Sequence, residues 1–349
     1  MGETKAAVKH SIDTVEITDA CLTGRAGLAL ISKYLQATGI EKILTRLFSF
    51  LKRSTKGTPL TSIFHQLLCF FFDGTSMRLV RFDQLKRDDG YAASIETPQQ
   101  QMLSSHAVKR FLQNVSIVRV WLFRRILQRL FVWRLSVEQP ELIILGIDTM
   151  VMDNDEAKKK EGVEPTYKKV KGFQPLQLYW GRYLIDAIFR NGKAHSNYGD
   201  HVVRMISRIV RRIRRSYRSA VPIVLAADSG FFDQKVLAHC DNLQIGLIVG
   251  GKMYDNIKDF ITSTPVESFE EHESAGNTWV FTEFGGRCKC WDKFYRVIYT
   301  KPIADDCGQI LFDFARPETI IYTNLGLNNE ITRSIVALQD EKPAFISAQ

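Results

Sequence analysis

The 349 residues are 45% hydrophobic, enough to bury large cores in two or three domains. No apolar run reaches the roughly 18–20 residues of a membrane span, the run through Phe70, Phe71 and Phe72 included, and no signal-peptide core opens the chain, so a cytoplasmic protein with no membrane partner is expected. The net charge of +9 is uneven: residues 1–140 carry 20 basic and 11 acidic side chains, residues 141–260 carry 19 and 14, and residues 261–349 carry 8 and 13, so the first two thirds suit a polyanion.

Residues 1–20 read as a polar leader with some strand character at Thr14-Val15-Glu16-Ile17. From Gly27 to Leu51 apolar positions recur at helical spacing and break near Gly39, which predicts two short helices. A third helix runs from Ser62 to Phe72 and stops at Asp73-Gly74, and Ser76 to Tyr91 reads as a charged helix and turn. Helices resume at Ser104-Ser105, good N-caps, and end with Val118 to Leu135, which mixes Trp121, Ile126, Leu130 and Trp133 with five arginines. That last helix reads equally well as a solvated basic face over a core contact and as a DNA contact. The six cysteines form no framework and read as reduced thiols; Cys288-Lys289-Cys290 lacks a second pair at zinc spacing, and the seven histidines show no ligand spacing either.

The centre of the chain carries the chemistry. Leu142 to Ile147 is a buried strand that delivers Asp148 to its end. Leu176-Gln177-Leu178-Tyr179 and Tyr183 to Phe189 flank Trp180-Gly181-Arg182 as a hairpin would. A long helix follows from Asp200 to Arg218, then the strand Pro222 to Ala227, which again closes on an acid, Asp228. Lys158, Lys159 and Lys160 with Lys168, Lys169 and Lys171 fall on the loop after Asp148, where positive charge can follow a phosphate backbone; a lysine run alone is more often plain surface. On the long helix Val202, Val203, Ile206, Ile209, Val210, Ile213 and Tyr217 form an apolar stripe, while Arg204, Arg208, Arg211, Arg215 and Arg218 form a basic one that suits a polyanion, an acidic partner or simple exposure.

A helix from Phe231 to Leu243 and a strand from Ile245 to Lys252 come next. Beyond about Thr262 an acidic loop (Glu267, Glu270, Glu271, Glu273) leads into short strands at Trp279-Val280-Phe281-Thr282, Cys290-Trp291, Phe294 to Tyr299, Ile310-Leu311-Phe312 and Ile320 to Thr323, with turn signals at Gly285-Gly286 and Asp306-Cys307-Gly308. No serine-hydrolase elbow, P-loop or dinucleotide fingerprint is present.

The order strand-strand-strand-helix-strand-helix-strand, with acids closing the first and fourth strands, is a ribonuclease H-like layout. The runs Asp148 to Ala157, Tyr167-Lys168-Lys169-Val170-Lys171-Gly172-Phe173-Gln174-Pro175-Leu176 and Asp228-Ser229-Gly230-Phe231-Phe232-Asp233 resemble bacterial insertion-sequence transposases of the DDE class, most strongly from about Asp148 to Lys258. The resemblance implies an α/β fold: a mixed sheet with flanking helices, preceded by an all-helical DNA-binding domain and interrupted by a β-rich insertion. The corresponding divisions are 1–137, 138–260, 261–325 and a returning core segment at 326–349. It further implies metal-dependent cleavage and strand transfer of insertion-sequence ends, with Asp148 and Asp228 as catalytic acids and ligands of Mg²⁺ or Mn²⁺. Its DNA partners would be the terminal inverted repeats and the target, gripped by a homodimer. Asp153 and Asp155 read as turn residues or outer supports. In such transposases a Tyr-His-x-Arg-Gly-x-Asp-Glu type signature after the insertion supplies a third acid. Here the 23 residues from Leu327 to Gln349 hold Glu330 and Glu341 without that signature; Glu330 is a conceivable substitute, a helix cap or plain exposure is the better reading of both, and a truncated, catalytically weak chain is expected. Two alternatives stand beside an active transposase: a remnant that only binds element ends, and a stand-alone nuclease of the same fold.

Overall fold

The computed structural model describes residues 23–52, 57–115, 117–156, 161–274, 277–304 and 318–326. The expected strands at Thr14 to Ile17 and Ile310 to Phe312, and the residues Lys158, Lys159, Glu330 and Glu341, lie outside the described residues. The chain divides into two compact units, one ending at Leu122 and the other beginning at Phe123.

The first unit is helical: α1 (Leu28–Thr38), α2 (Ile40–Leu47), α3 (Leu60–Asp73), α4 (Arg81–Leu85), α5 (Asp89–Ser94), α6 (Ser105–Gln113) and the start of α7 (Ile117–Glu138). Gly39, at φ 65°, takes the left-handed conformation that ends α1 and opens α2. The charged stretch from Ser76 divides into α4 and α5 because Asp88 caps the second, accepting the Tyr91 N–H at 2.8 Å. Phe48, Phe64, Phe70, Phe82, Tyr91 and Phe111 fill the core, with Phe64 edge-on to Phe111 at 5.6 Å.

One buried cluster in this unit has the residue types of a nucleophilic triad. His65 Nδ1 lies 2.5 Å from Glu41, its Nε2 lies 2.7 Å from the Ile95 carbonyl, and Cys69 Sγ is 3.8 Å from the same Nε2. Facing a carboxylate and a carbonyl, both ring nitrogens donate, so no lone pair is left to take the thiol proton. The cluster is a buried His⁺–Glu⁻ pair bridging α2, α3 and the end of α5.

The second unit contains, in order, β1 (Ile143–Thr149), β2 (Met152–Asp153), β3 (Glu164–Pro165), β4 (Lys171–Phe173), β5 (Leu176–Trp180), β6 (Tyr183–Ile188), α8 (His201–Ser216), β7 (Ile223–Ala227), α9 (Gln234–Asn242), β8 (Gly246–Gly250), α10 (Asp255–Ser263), β9 (Glu270–Ser274), β10 (Asn277–Gly286), β11 (Tyr295–Ala304) and β12 (Thr319–Thr323). The main sheet has the order β6-β5-β1-β7-β8-β12-β11-β10-β9. In it β1 runs antiparallel to β5 and parallel to β7, and β8 runs parallel to β7. The ribonuclease H-like order expected from the sequence occupies the first five strands.

The described residues of 261–325 are mostly strand, and these strands extend the same sheet: β12 pairs with β8, Ile321 opposite Gly250 and Thr323 opposite Ile248. Leu247, Ile248 and Val249 are buried, and β12 covers what would otherwise be an apolar edge. Three local expectations are corrected. Glu270, Glu271 and Glu273 lie on β9, paired with β10, and not in a loop. Cys290-Trp291 is not a strand, and Gly285-Gly286 is not the turn; β10 continues through Gly286, and residues 287–294 make the reversal, with the Trp291 N–H on the Cys288 carbonyl at 3.0 Å. Helix α10 was also not expected.

Alternation along the strands sorts the two faces of the sheet. Ile143, Leu145 and Ile147 of β1 and Leu225 and Ala227 of β7 pack with Phe131 and Leu135 of α7, the apolar side of α8, and Val236 and Leu237 of α9. Val224, Ile248, Phe281, Ile298 and Ile321, with Ile144 against them, form the core of the opposite face.

Candidate active site

Parallel pairing sets the two acids side by side. Ile147 is opposite Ala227 in the β1–β7 ladder, so Asp148 and Asp228 are the next residues of adjacent strands, about 4.8 Å apart along the hydrogen-bonding direction. Alternation puts Asp148 on the face of Ile144 and Asp228, still extended at φ −76° and ψ 176°, on the face of Val224. Both carboxylates therefore leave the same side of the sheet, opposite the side that α8 covers. Each turns one oxygen back to the chain: Asp148 accepts the Thr149 N–H at 2.7 Å and Asp228 the Gly230 N–H at 3.0 Å.

Two loops hold this edge. Between β6 and α8, Arg190 is 4% exposed and donates to the carbonyls of Gln174 (2.9 Å), His195 (3.1 Å) and Ser196 (3.3 Å), while burial draws its pKa down to about 10. The loop it pins carries Ser196, whose hydroxyl lies 3.5 Å from that of Thr149, and Asn197, whose amide donates to the Gly230 carbonyl at 3.1 Å. Both acid-bearing strand ends are thus tied to one loop.

The second loop follows β1 and folds into a three-stranded sheet of its own, ordered β2-β4-β3. Its strands meet backbone to backbone: a Cβ on Gly172 would stand 2.0 Å from the Met152 carbonyl oxygen, and one on Gly192 would stand 2.0 Å from that of Glu164. Asp153 accepts the Asp155 N–H at 2.8 Å, the turn-forming role expected of it, whereas Asp155 accepts the Lys171 N–H at 3.2 Å across to β4. The turn between β3 and β4 presents Tyr167, Lys168 and Lys169, all exposed, and Lys171 opens β4, also exposed. The Tyr167 hydroxyl is pushed up in pKa by burial and by the negative charges of Asp148 and Asp228, so this turn stands in the field of both acids. Tyr179 on β5 is raised to about 12 by burial and by Asp148.

The family description Transposase DDE domain group 1 matches residues 7–325. The chain belongs to this transposase family. No curated protein matches it. Among solved structures, a piggyBac transposase synaptic complex with hairpin DNA is 10% identical, with a TM-score of 0.39, covering 85% of this chain and 60% of that one. A pre-cleavage Mos1 transpososome is 10% identical with a TM-score of 0.22, covering 65% and 78%. The chain spans 60% of the length of the piggyBac chain it matches. At these values the likeness carries no argument, and membership rests on the match across residues 7–325.

For a DDE transposase domain the donor set is chemically apt: two carboxylates at adjacent positions on one face suit a hard divalent cation that takes oxygen ligands. Among the described residues no third His, Cys, Asp or Glu joins them in a group able to hold a metal. The α8 arginines Arg204, Arg208, Arg211 and Arg215 are exposed, in the row the sequence shows; Arg204 is not wholly without an acid, since Asp200 at the helix start lies 3.4 Å from it. Sequence reasoning missed Arg190, Ser196 and Tyr167. For Tyr167 a signal existed, its place beside Lys168-Lys169 after the acid; nothing local marks Arg190, which acts through backbone carbonyls, or Ser196, whose hydroxyl meets that of Thr149 far along the chain.

Proposed function

We propose that this chain cleaves and rejoins DNA phosphodiesters as a transposase acting on element ends, with Asp148 and Asp228 holding Mg²⁺ or Mn²⁺. The observation that carries the reading is the register pairing that brings both acids to one face at one edge of the sheet. Bound there, a divalent cation would polarise the phosphoryl oxygen and acidify the attacking hydroxyl. The chain's own residues do the rest. Asp148 and Asp228 supply the anionic oxygens, the loop pinned by Arg190 fixes both strand ends, and Lys168, Lys169 and Lys171 neutralise backbone phosphates beside the acids. Lys158, Lys159 and the α8 arginines add to the DNA-contacting charge. We place the protein with its DNA in the cytoplasm, acting as a homodimer that joins two element ends.

A role confined to binding element ends is the second reading, favoured by the lack of a third acid beside the pair among the described residues. Strand cleavage of element-end DNA in Mg²⁺ or Mn²⁺ separates the two. Cutting by the wild type that falls at least about 100-fold in Asp148→Asn and in Asp228→Asn, with folding and DNA affinity kept, supports the catalytic reading. Intact DNA with tight binding supports the binding role, and Glu330→Gln shows in the same assay whether that residue is the third acid.

A further inference from the structure

We infer that the arginine row of α8 is a second DNA-binding surface, which takes a duplex other than the one seated at Asp148 and Asp228. The proposal rests on the DNA-acting reading above and extends it to a separate site.

Helix α8 turns Val202, Met205, Ile206, Ile209, Val210 and Ile213 into the sheet, on the face opposite the acids. Its outward side is Arg204, Arg208, Arg211 and Arg215, all exposed, with Arg218 just past its end. At 1.5 Å rise per residue the row from Arg204 to Arg215 is about 16 Å long, the length of roughly five base pairs. It also leads away from the acids. The start of α8 is at their edge, where Lys235 on α9 pairs with Asp200 and Asn197 reaches the Gly230 carbonyl. The far end is beside the entry to β1, where the Tyr217 hydroxyl donates to the Pro140 carbonyl at 3.1 Å. A straight duplex lying against the acids therefore has the sheet and the helix between it and most of the row, and DNA resists bending over so short a length.

Composition favours nucleic acid over protein as the occupant. Interface cores between proteins are depleted of charge and enriched in aromatic side chains, whereas DNA-binding surfaces are polar and strongly positive. No exposed apolar side chain interrupts this row. Arg208 has its pKa lowered by partial burial and by the positive charges of Arg124, Arg211 and Arg212, with the Asp186 carboxylate acting the other way; a run of phosphates would relieve the cationic crowding.

The test is the number of short duplexes, each about one helical turn, bound per chain at saturation, measured by calorimetry and sedimentation on the full chain. The wild type should bind at least two, one at the acids and one on the row. Arg208→Glu with Arg211→Glu and Arg215→Glu should remove one and lower the salt slope of total binding by about three units, while Lys168→Glu with Lys169→Glu and Lys171→Glu should weaken the other. Helix content by circular dichroism guards against misfolding, with the Arg→Gln triple as a milder variant. A wild type that binds one duplex, or a row variant that keeps both, overturns the inference. A row variant that keeps its DNA but loses binding to polyglutamate or to a second copy overturns it in favour of an acidic protein partner. No DNA binding at all overturns the DNA-acting reading with it, while two bound duplexes without cleavage leave this surface standing and remove only the catalytic chemistry.

Discussion

At the scale of single residues, charges are placed by what surrounds them, and His65 and Asp148 illustrate two outcomes. Burial works against a charged imidazole at His65, but its hydrogen bonds with Cys69 and Glu41 outweigh that and raise its pKa from 6.5 to about 10. A pKa raised on folding gives stability that is fully present below pH 6.5 and is lost as the pH climbs through about 10. The stability gap between wild type and His65→Gln should therefore narrow from pH 6.5 towards 10, as denaturant melts at a series of pH values would show; a constant or widening gap contradicts the assignment. The strand that carries Asp148 was legible because an apolar run closed by a Gly and an Asp reads as a buried strand, although an Asp at a strand end taken alone is as often a cap or turn former. The glycine contacts were not: Gly172 and Gly192 matter because of carbonyls 20 and 28 positions away, at Met152 and Glu164, and no local pattern records a backbone close approach.

At the scale of elements, the long periodic ones were readable and the short or non-local ones were not. The hairpin β5–β6 and the helix α8 follow their apolar periods closely, although Met205, fully buried, belongs to the stripe as well. Strands of two or three residues, such as β2, β3 and β4, are too short to show a period, so their sheet read as loop. The join between α7 and β6 also escaped notice. Arg124 donates through Nε and Nη2 to the two oxygens of Asp186, both at 2.7 Å, and Asp186 is fully buried. Removing the guanidinium leaves a buried carboxylate without its partner, so Arg124→Met should cost about 3–5 kcal/mol, most of it recovered in Arg124→Met with Asp186→Leu. Urea melts of the two single variants and the double give the coupling; simple additivity would mean the pair is structurally idle.

At the scale of the whole chain, charge and topology agree. The basic first two thirds, read from composition as suited to a polyanion, include the lysine turn in the field of the acids and the arginine row on the opposite face, while the acidic remainder adds β9 to β12 to the far side of the sheet. That the last strands continue the sheet depends on β12 returning to β8 across some seventy residues, a pairing that strand propensity alone does not specify. The chemistry proposed for this chain requires Asp148 and Asp228 to act as one metal site. Anomalous diffraction from crystals of the full chain soaked in Mn²⁺ tests this most directly: it should show a peak within about 2.0–2.4 Å of a carboxylate oxygen from each residue, lost in Asp148→Asn and in Asp228→Asn. A peak held by one of the two alone, or Mn²⁺ bound elsewhere with both carboxylates bare, would contradict it.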